Sequence, residues 1–323
     1  MSSGNLRKII FAMLLAVVVY GGFAVYSGLG ALKESLGRFE LGTFFLACGL
    51  AFGNYMLRFL KWEFYLSRLG IRGVGKVDSL LTYLSGFVLT VTPGKVGEVF
   101  KSLILHETHG VPMTKTAPIV VAERATDVLG VVALIAIGSY GFNGGLLWAG
   151  IGIALVAVLI GVVASKRLSL SIIAMIGRVP GRFGAIAPKL EAAYESLALM
   201  LKPRNLFVPT LLSAGSWMLE CLALWVILGG FHAHIGVTLS MFFYATSTLV
   251  GAIIPVPGGL GITESLLMGQ MVEIGHVAKG DATAAMILVR FATLWFAVLV
   301  GFVALTLMKR RYPTLLAVTR AAP

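Results

Sequence analysis

The chain has 323 residues, 58% of them hydrophobic and 12% charged, with a mean hydropathy of +0.93. A soluble domain carries about a quarter charged residues, so this composition excludes an ordinary soluble protein and reads as a polytopic integral membrane protein. The net charge of +12 is spread over short segments between apolar runs, which argues against nucleic acid as a partner.

In chain order, Arg7 and Lys8 precede an apolar run that ends near Val25. The run is long enough to span a bilayer and reads as an uncleaved signal-anchor. The alternative is a cleaved signal peptide, with Gly22 and Ala24 as the small residues before the cut. Hydropathy places spans near 9–28, 41–60, 116–140, 146–165, 206–229 and 282–308. Two more apolar stretches, near 79–105 and 237–270, are each interrupted by a Pro-Gly motif. They read as re-entrant helical hairpins, because irregular backbone at membrane depth survives only inside protein or along a wet cavity. The longest polar connection is 166–205. There Ile186, Leu190, Tyr194, Leu197 and Leu201 form one apolar stripe at steps of three and four. It predicts a cytoplasmic amphipathic helix, lying on the membrane surface or packed on the ends of the spans. Cys48 and Cys221 sit within apolar stretches and read as packing residues rather than a disulfide or metal pair.

The two interruptions resemble each other. Pro93-Gly94-Lys95-Val96-Gly97-Glu98 is followed, 26 residues after its Glu, by Arg124. Pro257-Gly258-Gly259-Leu260-Gly261-Ile262-Thr263-Glu264 is followed, 26 residues after its Glu, by Arg290. Broken apolar helices in matched positions point to a binding site where two copies of a repeat meet. With both chain ends cytoplasmic, only Lys33, Arg38 and Lys279 of the 26 basic residues fall outside, Arg124 and Arg290 lie within spans, and the rest fall inside. That is a strong positive-inside bias. The first hairpin then enters from the cytoplasm and the second, three crossings later, from outside, so the copies are inverted.

Glu98, Glu123, Arg124, Asp127, Glu220, Glu264 and Arg290 lie in or beside apolar spans. At about 2.5–3.5 kcal/mol each on insertion scales, seven unpaired charges would cost roughly 20 kcal/mol. They must pair, meet water or face a polar cavity. The equal spacing predicts pairs Glu98–Arg124 and Glu264–Arg290. Glu123 and Asp127, four apart, share a helix face with Arg124 between them. Each pair reads either as a buried strut or as part of an anion site, since guanidinium forks and Gly-rich helix tips both suit phosphate. Glutamates in such a place could carry a coupled proton. Glu220 has no basic residue within a turn and needs a partner from elsewhere. Arg58, Lys61 and Trp62 end the second predicted span. They read as snorkelling and an aromatic belt, or as a first contact for lipid phosphate. His106 and His109 are too weak a pair for a metal site, and no metal or cofactor is expected. No phosphate-binding nucleotide loop, Gly-x-Ser-x-Gly elbow or zinc-protease helix occurs, so an ATP-driven pump in this chain alone is excluded and no catalytic residue is assigned.

Four motifs together carry a resemblance: Arg58-x-x-Lys61-Trp62; Thr92-Pro93-Gly94-Lys95-x-Gly97-Glu98 with Lys101; Glu123-Arg124-x-x-Asp127; and Pro257-Gly258-Gly259-Leu260-Gly261-x-x-Glu264. The chain resembles, over about residues 10–310, the lysylphosphatidylglycerol synthase transmembrane region family, or flippase-like membrane proteins, which includes the membrane half of the bacterial multiple peptide resistance factor. The resemblance implies that the motif residues line or support a path for an anionic, aminoacylated or polyprenyl-linked lipid. Lysyl transfer is not expected, because the chain reaches Pro323 without an aminoacyltransferase domain.

The sequence therefore predicts an all-α polytopic membrane protein, N-in/C-in, with about six transmembrane helices and two re-entrant hairpins in an inverted-topology repeat. It reads as a single membrane domain, 1–323, with repeat halves 1–140 and 206–308 and a connector at 166–205. Glu220 and Arg290 join the motif residues as substrate-binding candidates. The expected activity is lipid translocation across a bacterial or archaeal cytoplasmic membrane, with an anionic-headgroup lipid as partner. A lipid-biosynthetic partner enzyme or a second copy of the chain fits the same reading. The alternatives are a partner-dependent enzyme of lipid-linked glycosyl or aminoacyl transfer, and a non-transporting membrane subunit.

Overall fold

The computed structural model describes residues 3–91, 98–141, 187–254 and 256–315, together with positions 147, 150 and 154. Every regular element among these residues is helical. The predicted span near 146–165 and the first part of the connector, 166–186, lie outside the described residues, as do Pro93, Gly94, Lys95 and Gly97.

The helices are α1 (Ser3–Ser27), α2 (Leu29–Arg38), α3 (Leu41–Arg68), α4 (Lys76–Ser85), α5 (Phe100–His109), α6 (Met113–Gly138), α7 (Ala187–Met200), α8 (Pro203–Gly229), α9 (Val237–Ile253), α10 (Ile262–Glu273), α11 (Lys279–Arg290) and α12 (Phe296–Arg311). A π-helical turn, Phe291–Trp295, joins α11 to α12. Among the described residues, three helices are long and apolar enough to cross a membrane: Leu41–Arg68, Arg204–Gly229 and Lys279–Arg311. A fourth candidate is the pair Met13–Ser27 and Leu29–Arg38, bent by 96° at Gly28. The bend follows from Gly28, whose φ of 88° an L side chain rarely adopts. α6 is 26 residues long and carries Lys115, Glu123, Arg124 and Asp127.

The order of elements is similar on either side of the 166–186 segment. A long helix (α3, α8) precedes a broken helix pair (α4/α5, α9/α10), and a second long helix follows (α6, α11–α12). In each broken pair the chain folds back on itself. His109, at the end of α5, comes within 3.8 Å of Asp78 at the start of α4. A β-carbon on Gly275, just after α10, would stand 3.1 Å from Ile235, which precedes α9, and 3.1 Å from Phe243 within it.

The halves are interlocked. α3 and α8 share the most extensive helix contact, and Asn54 Nδ2 donates to Ser216 O across it at 2.8 Å. α6, of the first half, packs against α9 of the second; α12, of the second, packs against α4 of the first. Glycine permits both approaches. A β-carbon on Gly138 would stand 2.8 Å from the Phe242 nitrogen, and one on Gly301 2.6 Å from the Val88 nitrogen. Small residues at such crossings let membrane helices gain contact where the hydrophobic effect offers little. α7 packs on α6, with Met200 fully buried.

The described end of the first break, Val91, meets the second break. Val91 of the first and Leu260 of the second share an apolar cluster with Ala16, Leu294 and Val298. Gly258 and Gly259 hold the second tip at φ of 61° and 68°.

Candidate functional site

Both predicted ion pairs form. Arg124 donates from one guanidinium nitrogen to both oxygens of Glu98, at 2.7 and 2.8 Å. Arg290 donates from Nε to Glu264 Oε1 at 2.6 Å and from a terminal nitrogen to the Gly258 carbonyl at 2.6 Å. The copies differ in what else the Glu does. Glu264 Oε2 accepts from the Gly261 backbone N–H at 2.7 Å, reaching back from the third residue of α10 to the residue before the helix. Its side chain is fully buried. The Arg124–Glu98 pair is more open, with the arginine side chain 29% exposed.

Asp127 is the centre of a node joining three helices. Its Oδ1 accepts from Lys61 Nζ at 2.6 Å and from Ser213 Oγ at 3.0 Å, and its Oδ2 accepts from Arg58 at 2.6 Å. Lys61 also donates to Ser213 Oγ at 2.7 Å. Glu123 pairs with Lys101 of α5, whose ammonium lies 4.7 Å from the Trp62 ring centroid and 5.3 Å from that of Tyr83. The reading of Lys61 and Trp62 as a snorkelling belt is therefore corrected, while Arg58 lines a cavity. α3 runs eight residues past the predicted end at 60, and Lys61 and Trp62 have no exposed surface. The physical reason is the pair of acids on α6, which give Lys61 and, through Lys101, Trp62 a buried partner. Glu220 finds its partner on α9: Tyr244 Oη donates to Glu220 Oε2 at 2.7 Å.

A cavity of about 90 Å³ lies where the tips, α3, α8 and the π-helical turn converge. It is large enough for ordered water, which needs about 10–15 Å³ of such volume per molecule. Thr90 and Glu98 reach it from the first tip, Gly258 and Gly259 from the second, and Thr248 from α9. Tyr55 and Arg58 come from α3, Trp217 and Glu220 from α8, and Arg290 from α11. A smaller space of about 10 Å³, sharing Arg58 and Glu98, is bounded by Lys101, Glu123 and Arg124. The π-helical turn follows Arg290 directly, and Tyr55 Oη donates to the Thr293 carbonyl within it at 2.8 Å. Such single-turn π segments often mark functional positions in a helix.

Of the sequence candidates, Arg58, Glu98, Glu220, Gly258, Gly259 and Arg290 face the larger cavity, and Lys101, Glu123 and Arg124 the smaller. Lys61, Trp62, Asp127, Gly261 and Glu264 stand behind them as supports. Pro257 is buried in the second tip. Tyr55, Thr90, Trp217, Tyr244 and Thr248 were missed. They are uncharged and sit in apolar stretches, where sequence alone does not separate a cavity wall from packing. The available signal was the spacing of Trp217 and Glu220, three apart and so on one helix face.

Fully ionised, five bases (Arg58, Lys61, Lys101, Arg124, Arg290) meet five acids (Glu98, Glu123, Asp127, Glu220, Glu264) in this region. The described site is thus charge-balanced, and its polar groups are held in place by one another.

The chain is 24% identical over 228 residues to a UPF0104 membrane protein of Methanocaldococcus jannaschii, a match that covers 69% of this chain and 95% of the relative. The model of the lysylphosphatidylglycerol synthase TM region family matches residues 11–301, which takes in α3, both tips and the arginine-bearing helices. The chain is an integral membrane protein and belongs to the lysylphosphatidylglycerol synthase TM region family.

Proposed function

We propose that the chain is a lipid flippase, a transporter rather than an enzyme, that moves a phospholipid or polyprenyl-linked lipid with an anionic or aminoacylated headgroup across the cytoplasmic membrane. The observation that carries this reading is the charged cavity lined by residues flanking both helix breaks. A buried set of ten ionisable groups is costly in a membrane, and struts alone could be replaced by apolar packing. A headgroup pathway gives the set a reason to persist. In this reading the headgroup passes between the tips while the acyl chains stay in lipid. Arg124 and Arg290 attract the phosphate, and Glu98, Glu264 and Glu220 balance charge. The family's tie to a phospholipid synthase supports a lipid as cargo.

The proposed topology is N-in/C-in with six spans and two inverted re-entrant pairs. Two groupings of ion pairs support it. Residues assigned to the cytoplasm meet one another: Arg311 and Tyr312 hold Asp78, and Lys76 holds Glu63. Residues assigned outside do the same: Arg38 holds Asp281 at 2.6 Å, and His232 lies 3.5 Å from Glu40.

The test is translocation of a headgroup-labelled phosphatidylglycerol in proteoliposomes of the purified protein. Arg124→Ala and Arg290→Ala should each cut transport while the protein remains folded. Transport at the wild-type rate by both variants sinks the headgroup role of the arginines.

A further inference from the structure

We propose that Arg58 and Trp217 form a subsite for a phosphoryl oxygen, completed by the hydroxyls of Thr90 and Thr248. This rests on the lipid-translocation reading and names the group by which the cavity holds its cargo.

The first observation concerns unpaired polar atoms. Trp217 Nε1, Thr90 Oγ1 and Thr248 Oγ1 are buried, and no group among the described residues hydrogen-bonds with them. All three residues line the same cavity, from three different elements: α8, the first tip and α9. Buried polar atoms are normally satisfied, so three unsatisfied ones around one space point to something that enters it. The indole N–H can only donate, and so calls for an acceptor. Trp217 as a whole is 6% exposed, and its ring is fixed beneath Arg58, whose guanidinium carbon lies 5.5 Å from the ring centroid.

The second observation concerns charge. Arg290–Glu264 and Lys101–Glu123 are each one base to one acid, and Arg124 is held mainly by Glu98 at 2.7 Å. The node at Asp127 is different, because Arg58 and Lys61 share a single carboxylate at 2.6 Å, with Arg124 a further 3.5 Å contact to it. It carries a surplus positive charge, and Lys61 is fully buried, so Arg58 presents that charge to the cavity. Glu220, which lines the same cavity and accepts from Tyr244, supplies the opposite charge within the site. A guanidinium, an indole N–H and two hydroxyls match a tetrahedral phosphoryl group, which offers several acceptor oxygens at once. A lipid phosphodiester and free phosphate share that chemistry.

The experiment is a binding titration of the purified full chain in detergent with dihexanoyl-phosphatidylglycerol, inorganic phosphate and uncharged dihexanoylglycerol. Trp217→Phe keeps the ring and its stack on Arg58 but removes the N–H. It should weaken phosphatidylglycerol binding by about tenfold, the usual scale for one hydrogen bond to a charged group. Thr248→Val, which keeps shape and loses one hydroxyl, should weaken it in the same direction and stands in if Trp217→Phe does not fold. Trp225→Phe, on an exposed part of α8, should leave affinity unchanged. Affinity in both Trp217→Phe and Thr248→Val equal to wild type overturns the subsite. So does wild-type binding of dihexanoylglycerol as tight as that of the phospholipid. If translocation in vesicles persists in that case, the lipid reading stands without this subsite. Phosphate binding that is sensitive to Trp217→Phe, with no binding of the phospholipid, keeps the subsite and rejects the lipid as its occupant.

Discussion

Asp127 serves three bases, Arg58 and Lys61 at 2.6 Å and Arg124 at 3.5 Å, while Lys61 depends on one acid, so Asp127 and Lys61 should fail differently. Asp127→Ala leaves both Lys61 and Arg58 without their carboxylate inside the bundle. Removing one partner of a buried pair typically costs about 3–5 kcal/mol. Lys61→Met leaves Asp127 paired with Arg58 and fills the space with an apolar chain, so it should cost much less. Thermal unfolding of the purified protein in detergent checks the order; a lower midpoint for Lys61→Met than for Asp127→Ala contradicts it. A similar asymmetry separates the two matched glutamates. Glu264 accepts from both Arg290 and the Gly261 N–H, so Glu264→Gln should lower the midpoint more than Glu98→Gln does. At this scale the sequence was informative about charge. The interval of 26 residues in both motifs anticipated both arginine pairs. It did not show that Arg58 and Lys61 belong to Asp127, since a partner 66 to 69 residues away depends on which helix faces which.

The elements show how two halves of similar design become one body. Each half's second long helix packs on the other half's broken pair, and a glycine marks each crossing. Gly301→Val places its side chain against the Val88 backbone and should displace α12 from α4, with loss of monodisperse protein on gel filtration. Gly269→Ala meets nothing within 4 Å and should be tolerated. Equal behaviour of the two variants would refute the close-packing account. Helix positions were largely legible, because apolar runs and Pro-Gly breaks are local signals. The end of α3 was misplaced because Arg58, Lys61 and Glu63 resemble the polar boundary of a span. The bend at Gly28 was missed, since a glycine within an apolar run reads as ordinary packing. The π-helical turn has no counterpart in the sequence beyond its place after Arg290.

For the whole molecule, the ion pairs sort the charged residues into two groups that no described pair crosses except through the central site. In a background without Cys48 and Cys221, cysteines at Lys76 and Arg311 should react with a membrane-impermeant maleimide from one face. Those at Arg38 and Lys279 should react from the other. Labelling of all four from the same face contradicts the topology. Charge placement was the sequence's signal for an inverted topology, whereas the contact of Val91 with the second break was not legible, since nothing in either motif reports the distance to the other.

The central claim is that a lipid headgroup travels between the two tips, and a reversible clamp tests it most directly. Val91→Cys with Leu260→Cys places one thiol on each tip within a shared apolar cluster. In proteoliposomes, translocation of labelled phosphatidylglycerol should stop when the pair is cross-linked by mercuric ion and resume when a thiol reductant removes it. Translocation that continues undiminished through verified cross-linking would contradict a path between the tips.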